Sequence, residues 1–195
     1  MEHLGTCRLS FRGICLRRFA LSDAEAMFYN WASDPEVTKF LTWQPHKNVA
    51  VTREILSDWI GHYSEPDFYQ WVICFEDSPE NPIGCISVVD KNDPTEAVEI
   101  GYALSRQHWH QGITSCALAM VIRFFFEQVG LNRICAKHDL RNPNSGRVML
   151  HCGMQLEGTL RQASTSNMGI CDISVYSILR SEYQQRKKTA EAGKG

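Results

Sequence analysis

Hydrophobic positions along the chain recur with two periods, and the alternation between them lays out strands and helices. Leu9 to Phe19 sets Ile14, Leu16 and Phe19 among arginines and predicts a first strand. Ser22 or Asp23 then caps a short helix through Trp31, and Asp34-Pro35-Glu36 starts a second with proline at its first helical position. Thr52 to Tyr63 carries Ile55, Leu56, Trp59 and Ile60 at helical spacing. Three β-branched and aromatic runs follow, Phe68 to Phe75, Ile83 to Val89 and Val98 to Leu104. Proline-containing turns separate them, which predicts an antiparallel meander.

Gly112 opens the longest predicted helix, to about Val129, with apolar positions 113, 117, 120, 121 and 124 forming one stripe and Gly130 ending it. Arg133 to Lys137 reads as a strand, and Asn142-Pro143 begins a short helix reaching His151. Leu156 to Leu160 and Ile173 to Leu179 are final strands, joined by a polar loop containing Asn167 and Gly169. A meander followed by strand, helix, strand, helix and strand is an α+β layout, a mixed sheet with helices on both sides.

At 195 residues, 44% hydrophobic and without a linker-like stretch, the chain reads as one domain over 1–195. Its core runs from about 8 to 183, and the polar tail from 184 to 195 is expected to fray. A net charge of -2 argues against direct nucleic-acid binding through phosphates. The strongest apolar segment, Met120 to Phe126, is interrupted by Arg123, so no membrane span is expected. Met1 to Ser10 lacks the apolar run of a signal peptide. The eight cysteines contain no Cys-x-x-Cys pair and read as small core residues of a cytoplasmic protein. A monomer or a homodimer suits a domain of this kind.

Chemistry concentrates where Glu99-Ile-Gly-Tyr-Ala-Leu-Ser105 leads through Trp109-His-Gln-Gly112-Ile-Thr-Ser115 into the long helix. A glycine turn running into a helix start aims free backbone N–H groups and the positive end of the helix dipole at one spot. That suits a pyrophosphate, although ordinary helix capping accounts for the same pattern. Neither a P-loop nor a dinucleotide fingerprint is present. His108-Trp109-His110 offers no third metal ligand, and Cys116 on the long helix has no His–Asp partner set, so a solvated turn and core packing are the simpler readings.

Three local patterns resemble the GNAT superfamily of N-acetyltransferases. They are Trp109-His-Gln-Gly112-Ile-Thr114, Gly130-Leu-Asn-Arg-Ile-Cys-Ala-Lys, and Asn142-Pro-Asn-Ser145-Gly-Arg147-Val-Met-Leu-His-Cys-Gly153-Met154. The last is similar to a helix of the branch containing the ribosomal-protein-alanine N-acetyltransferases. The patterns fall in order over roughly residues 8 to 183. The resemblance implies the acyl-CoA N-acyltransferase fold, a mixed, largely antiparallel central sheet flanked by helices. It also implies acetyl-CoA as co-substrate with no metal. The acceptor is a primary amine, either a protein N-terminus such as that of a ribosomal protein, or a small amine such as a polyamine, amino acid or antibiotic.

By the same resemblance, Leu104, Ser105, Gln111, Gly112, Ile113, Thr114, Ser115, Asn142 and Ser145 bind the cofactor. Two departures stand out: Trp109 occupies the family's usual Gln/Arg position, and Met149 the usual tyrosine that protonates the leaving thiolate. Ser145 is the alternative proton donor, and Gly146 would let the cofactor approach that helix. Without such an acid, a CoA-binding regulatory module is the competing reading. Glu99 either accepts the proton of the amine or pairs with a neighbouring cation; period-two alternation puts it on one face with Gly101 and Ala103. Trp43, in the loop from Phe40 to His46, is expected to wall the acceptor pocket, and Asp172 to orient the amine or cap a loop.

Overall fold

A computed structural model describes residues 1–192. In β3 (Gln70–Phe75), Trp71 and Ile73 enter one apolar cluster while Val72 and Cys74 enter a second on the opposite face. Both faces must therefore be covered. One is covered by α1 (Ala24–Met27) with the π turn Phe28–Ala32 that continues it, by α2 (Pro35–Thr38) and by α3 (Val49–His62). The other is covered by α4 (Ile113–Phe124), extended through a π turn at Phe125–Val129, and by α5 (Pro143–His151).

The remaining strands are β1 (Leu9–Phe11), β2 (Ile14–Arg17), β4 (Gly84–Asn92), β5 (Ala97–Leu104), β6 (Arg133–Asp139), β7 (Gln155–Ser166) and β8 (Gly169–Leu179). They form one eight-stranded sheet in the order β1-β2-β3-β4-β5-β6-β8-β7. All neighbours are antiparallel except β5 and β6. The mixed, largely antiparallel α+β sheet expected from the sequence is therefore present. The parallel pair is short: it joins Ala97 to Arg133, Val98 to Ile134 and Glu99 to Cys135, and goes no further. From Ile100 onward β5 stays with β4 while β6 continues beside β8, so the sheet opens as a fork.

Three expectations change. The first predicted strand is two, because Arg12 and Gly13 both take positive φ (51° and 77°) and fold residues 9–17 into a tight hairpin. Two left-handed residues are what a two-residue hairpin turn needs, but Arg-Gly is a weaker signal for it than Asn-Gly. The polar loop before the last strand is instead the extension of β7 and β8 into a long hairpin, turning at Asn167 and Met168. The tail forms α6 (Arg180–Ala192), anchored where Tyr183 Oη and Lys187 Nζ reach Glu127; residues 193–195 of the predicted tail lie outside the described residues.

The fork requires close approach of β4 to the end of β5. A Cβ on Gly84 would stand 2.5 Å from the Ala103 carbonyl oxygen and 3.0 Å from Leu104 Cα. Gly84→Ala therefore displaces backbone, and should lower stability by about 1–3 kcal/mol in urea unfolding; an unchanged midpoint would show that the two strands have room to part.

Candidate active site

Beyond Glu99 the β6 side of β5 has no strand partner, so the backbone groups of residues 100–103 and the Leu104 N–H on that side are open to an extended ligand. The end of this strand is fixed by Trp109, whose Nε1 donates to the Leu104 carbonyl at 2.9 Å, and by the Ser105 N–H, which donates to the Ile83 carbonyl at 2.8 Å. The departure from the usual residue at 109 thus has a structural use: the indole packs on both clusters and pins β5.

Below the fork lies the start of α4. His110 and Gly112 both adopt left-handed conformations, with φ of 61° and 75°. The turn they make leads straight into the first turn of α4, where the N–H groups of Ile113, Thr114 and Ser115 have no intrahelical acceptor. No side chain caps this end, and a Cβ on Gly112 would meet nothing within 4 Å. Side-chain capping therefore does not account for this glycine turn, and the open helix start leaves N–H groups of the kind an anion accepts from. Gln111 is exposed, its amide donating to the Gln107 carbonyl at 3.0 Å. The free edge of β5 and this open helix start suit the pantetheine amides and the pyrophosphate of acetyl-CoA.

On the far side of the fork, α5 begins at Asn142 with no side-chain cap bond. Ser145 sits in its first turn, with Oγ 2.9 Å from Tyr102 Oη. Met149 is fully buried in the core, so the position where the resemblance expects a tyrosine holds packing instead. Gly146 serves a different purpose from the one expected. A Cβ there would lie 2.7 Å from His138 Nε2 and 3.3 Å from Tyr176 Oη, so the glycine makes room for two side chains of the sheet rather than for a cofactor.

Glu99 stands at the apex of the fork with Oε2 2.5 Å from Lys137 Nζ, and this carboxylate raises the pKa of the lysine. The cation pairing weighed from the sequence is real, and it fixes the carboxylate beside the opening. The thiols are poorly disposed to attack: burial pushes Cys74, Cys85 and Cys152 up to about 12 and also raises Cys116. Among the described residues no group of three or more His, Cys, Asp or Glu side chains could hold a metal, and no helix is long and apolar enough to cross a membrane.

Trp43 is half-buried, its ring 5.4 Å from that of His46. Its segment is tied to the β7–β8 turn by Asn167, whose amide donates to the carbonyls of Thr38 at 2.9 Å and Trp43 at 2.8 Å. Neither composition nor spacing marked Asn167 for this task, since its partners are more than 120 residues away. Asp172 caps a loop: its Oδ1 accepts from the Gln162 N–H at 2.8 Å, where β7 bulges. The same wall continues to β6. Arg141 grips the buried Asp139 through Nε at 2.9 Å and Nη2 at 2.6 Å, and it also reaches the Ser166 hydroxyl and the Met168 carbonyl.

An open helix start below a split parallel pair, with a carboxylate at the apex, is the arrangement that the resemblance to acyl-CoA-dependent transferases implies. Residues 14–155 match the family described as the acetyltransferase (GNAT) domain, and the chain belongs to that family. It is an acetyl-CoA-dependent N-acetyltransferase. It is 32% identical over 184 residues to the "Uncharacterized N-acetyltransferase p20" of Bacillus licheniformis, covering 94% of this chain and 99% of that one. It is 37% identical over 95 residues to the ribosomal-protein-serine acetyltransferase of Escherichia coli, covering 49% and 53%. The ribosomal L7/L12 alpha-N-protein acetyltransferase solved in complex with coenzyme A superposes with a TM-score of 0.79 over 89% of this chain and 98% of that one; at 20% identity this is a likeness of fold.

Asp139 provides a test of the wall. Hydrogen bonds from the Arg141 side chain hold its carboxyl down to about 2 against the opposing effect of burial. A folded pKa below the unfolded value of about 3.9 stabilises the protein above about pH 4, and the contribution is lost as pH falls toward 2. Arg141→Ala should therefore lower stability at neutral pH, by an amount that solvent screening of the exposed guanidinium reduces, and by roughly half as much near pH 3. Urea unfolding at both pH values measures it; an equal loss at each would exclude the charge as the cause.

Proposed function

We propose that this enzyme acetylates the α-amino group of a protein N-terminus, a ribosomal protein being the model acceptor, and that the described chain works as one catalytic unit. The observation that carries this reading is the 37% identity to a ribosomal-protein-serine acetyltransferase over 95 residues. The acceptor side agrees with it. The Phe40–His46 segment and the β7–β8 turn are braced into one wall by Asn167, which supports an acceptor side built to hold a chain end.

In this reading the amine arrives from the Trp43 side and the thioester through the fork. Transfer needs a neutral amine, a stabilised oxyanion and a departing thiolate. Glu99, directly or through water, takes the proton of the amine as its nitrogen bonds to the acetyl carbon. A free N–H on the unpaired edge of residues 102–104 receives the oxyanion. The C–S bond then breaks, its electron pair stays on sulfur, and the Ser145 hydroxyl donates to that sulfur. Leu104, Ser105 and the turn from Gln111 to Ser115 hold the pantetheine and pyrophosphate, with Asn142 at the head of α5. Asp172, already bonded to the Gln162 N–H, shapes the β7 side of the acceptor pocket.

Incubation with acetyl-CoA and a panel of peptides beginning with Ser, Ala or Met, together with spermidine and an aminoglycoside, tests the acceptor by mass spectrometry. A mass gain on peptide α-amines alone is expected. Gain on the small amines alone would overturn the reading. In the same assay Glu99→Gln should lower turnover by about 10²-fold with the acetyl-CoA Kd unchanged; an unaltered pH–rate profile in that variant would remove Glu99 from the proton path.

A further inference from the structure

Tyr102 has no part in the chemistry so far, yet its side chain leaves β5 and reaches across the fork to the first turn of α5. Its oxygen lies 2.9 Å from Ser145 Oγ and 3.0 Å from the Ser145 carbonyl oxygen. Among the described residues Tyr102 is the only side chain bonded to that hydroxyl. The phenol has one proton and two acceptors within reach, so the pair has two arrangements. In one, the phenol donates to the carbonyl and accepts from Ser145, which ties up the serine proton. In the other, the phenol donates to Oγ and the serine O–H is released toward the fork.

We propose that Tyr102 is a positioning residue for the leaving sulfur, acting through Ser145. The inference rests on the reading of Ser145 given above. As the C–S bond breaks and negative charge grows on sulfur, the serine O–H turns to it and the phenol O–H turns from the carbonyl to Oγ. A hydroxyl that accepts one hydrogen bond is a stronger donor of the next, so the phenol strengthens the contact to sulfur without touching it. No proton is lost from Tyr102; the thiolate takes its proton from water as coenzyme A departs. Burial raises the pKa of the phenol, which keeps it a hydrogen-bond donor. This route also accounts for Met149 in the core, because the phenol absent from α5 arrives from β5 instead.

The test is a double-mutant cycle in kcat with Tyr102→Phe, Ser145→Ala and the double variant, using the amine that the wild-type enzyme acetylates fastest in the panel. The acetyl-CoA Kd is measured for each by calorimetry. Tyr102→Phe should lower kcat about 5- to 20-fold with KM and Kd for acetyl-CoA within about twofold, and the double variant should be no slower than Ser145→Ala. Losses that multiply, or a raised KM with kcat preserved, would overturn the proposal and leave Tyr102 a structural strut. An unchanged kcat in Ser145→Ala would instead reject the role of Ser145 and the proposal with it.

Discussion

The parallel pairing of β5 with β6 stops after three residues, and nearly everything else in this protein is arranged around that stop. Continuing the ladder would satisfy several more backbone groups, and leaving them open carries a cost of order 1 kcal/mol for each group that water or a ligand does not satisfy. The sheet tolerates the opening because each strand has another neighbour. β5 holds eight registered pairs with β4, and β6 holds seven with β8. Gly84 lets β4 come close, the Trp109 indole pins the last carbonyl of β5, and α5 leaves the end of β6 with His138 seated against Gly146. The fork is thus held rigidly from both sides while its inner edges remain free.

Electrostatics then divide the opening into ends of opposite character. Below it, the uncapped start of α4 offers N–H groups and the positive end of a dipole. At the apex stands the Glu99–Lys137 pair, and beyond it the Asp139–Arg141 pair on the acceptor wall. A long anionic thioester can enter with its phosphates on α4 and its acyl end at the carboxylate. Much of the rate enhancement in such a site comes from orientation, since a thioester is already activated toward an amine. That explains why few side chains carry chemistry and why so much of the structure is spent on holding two strands apart.

The meander, the long helix and the glycine turn that opens it were legible because they depend on local signals: alternation in residues 70–75, the helical stripe from Ile113, and the glycine before it. The family resemblance located Ser145. Contacts distant in sequence were not legible. Asn167 clamping Thr38 and Trp43, and Tyr102 meeting Ser145, join residues whose neighbours in sequence give no hint of the meeting. Helix α6 escaped notice for a related reason: a polar segment of this kind has little helical stripe of its own, and its order comes from Glu127, where Arg123, Tyr183 and Lys187 converge.

Amide hydrogen exchange with and without acetyl-CoA tests the central claim most directly, because it reads the backbone groups that the fork leaves free. Acetyl-CoA should slow exchange in residues 100–105 and 112–116 and leave β1, β2 and β7 unchanged. Protection confined to other segments, or none in these two at saturating acetyl-CoA, would contradict the account of how this sheet receives its substrate.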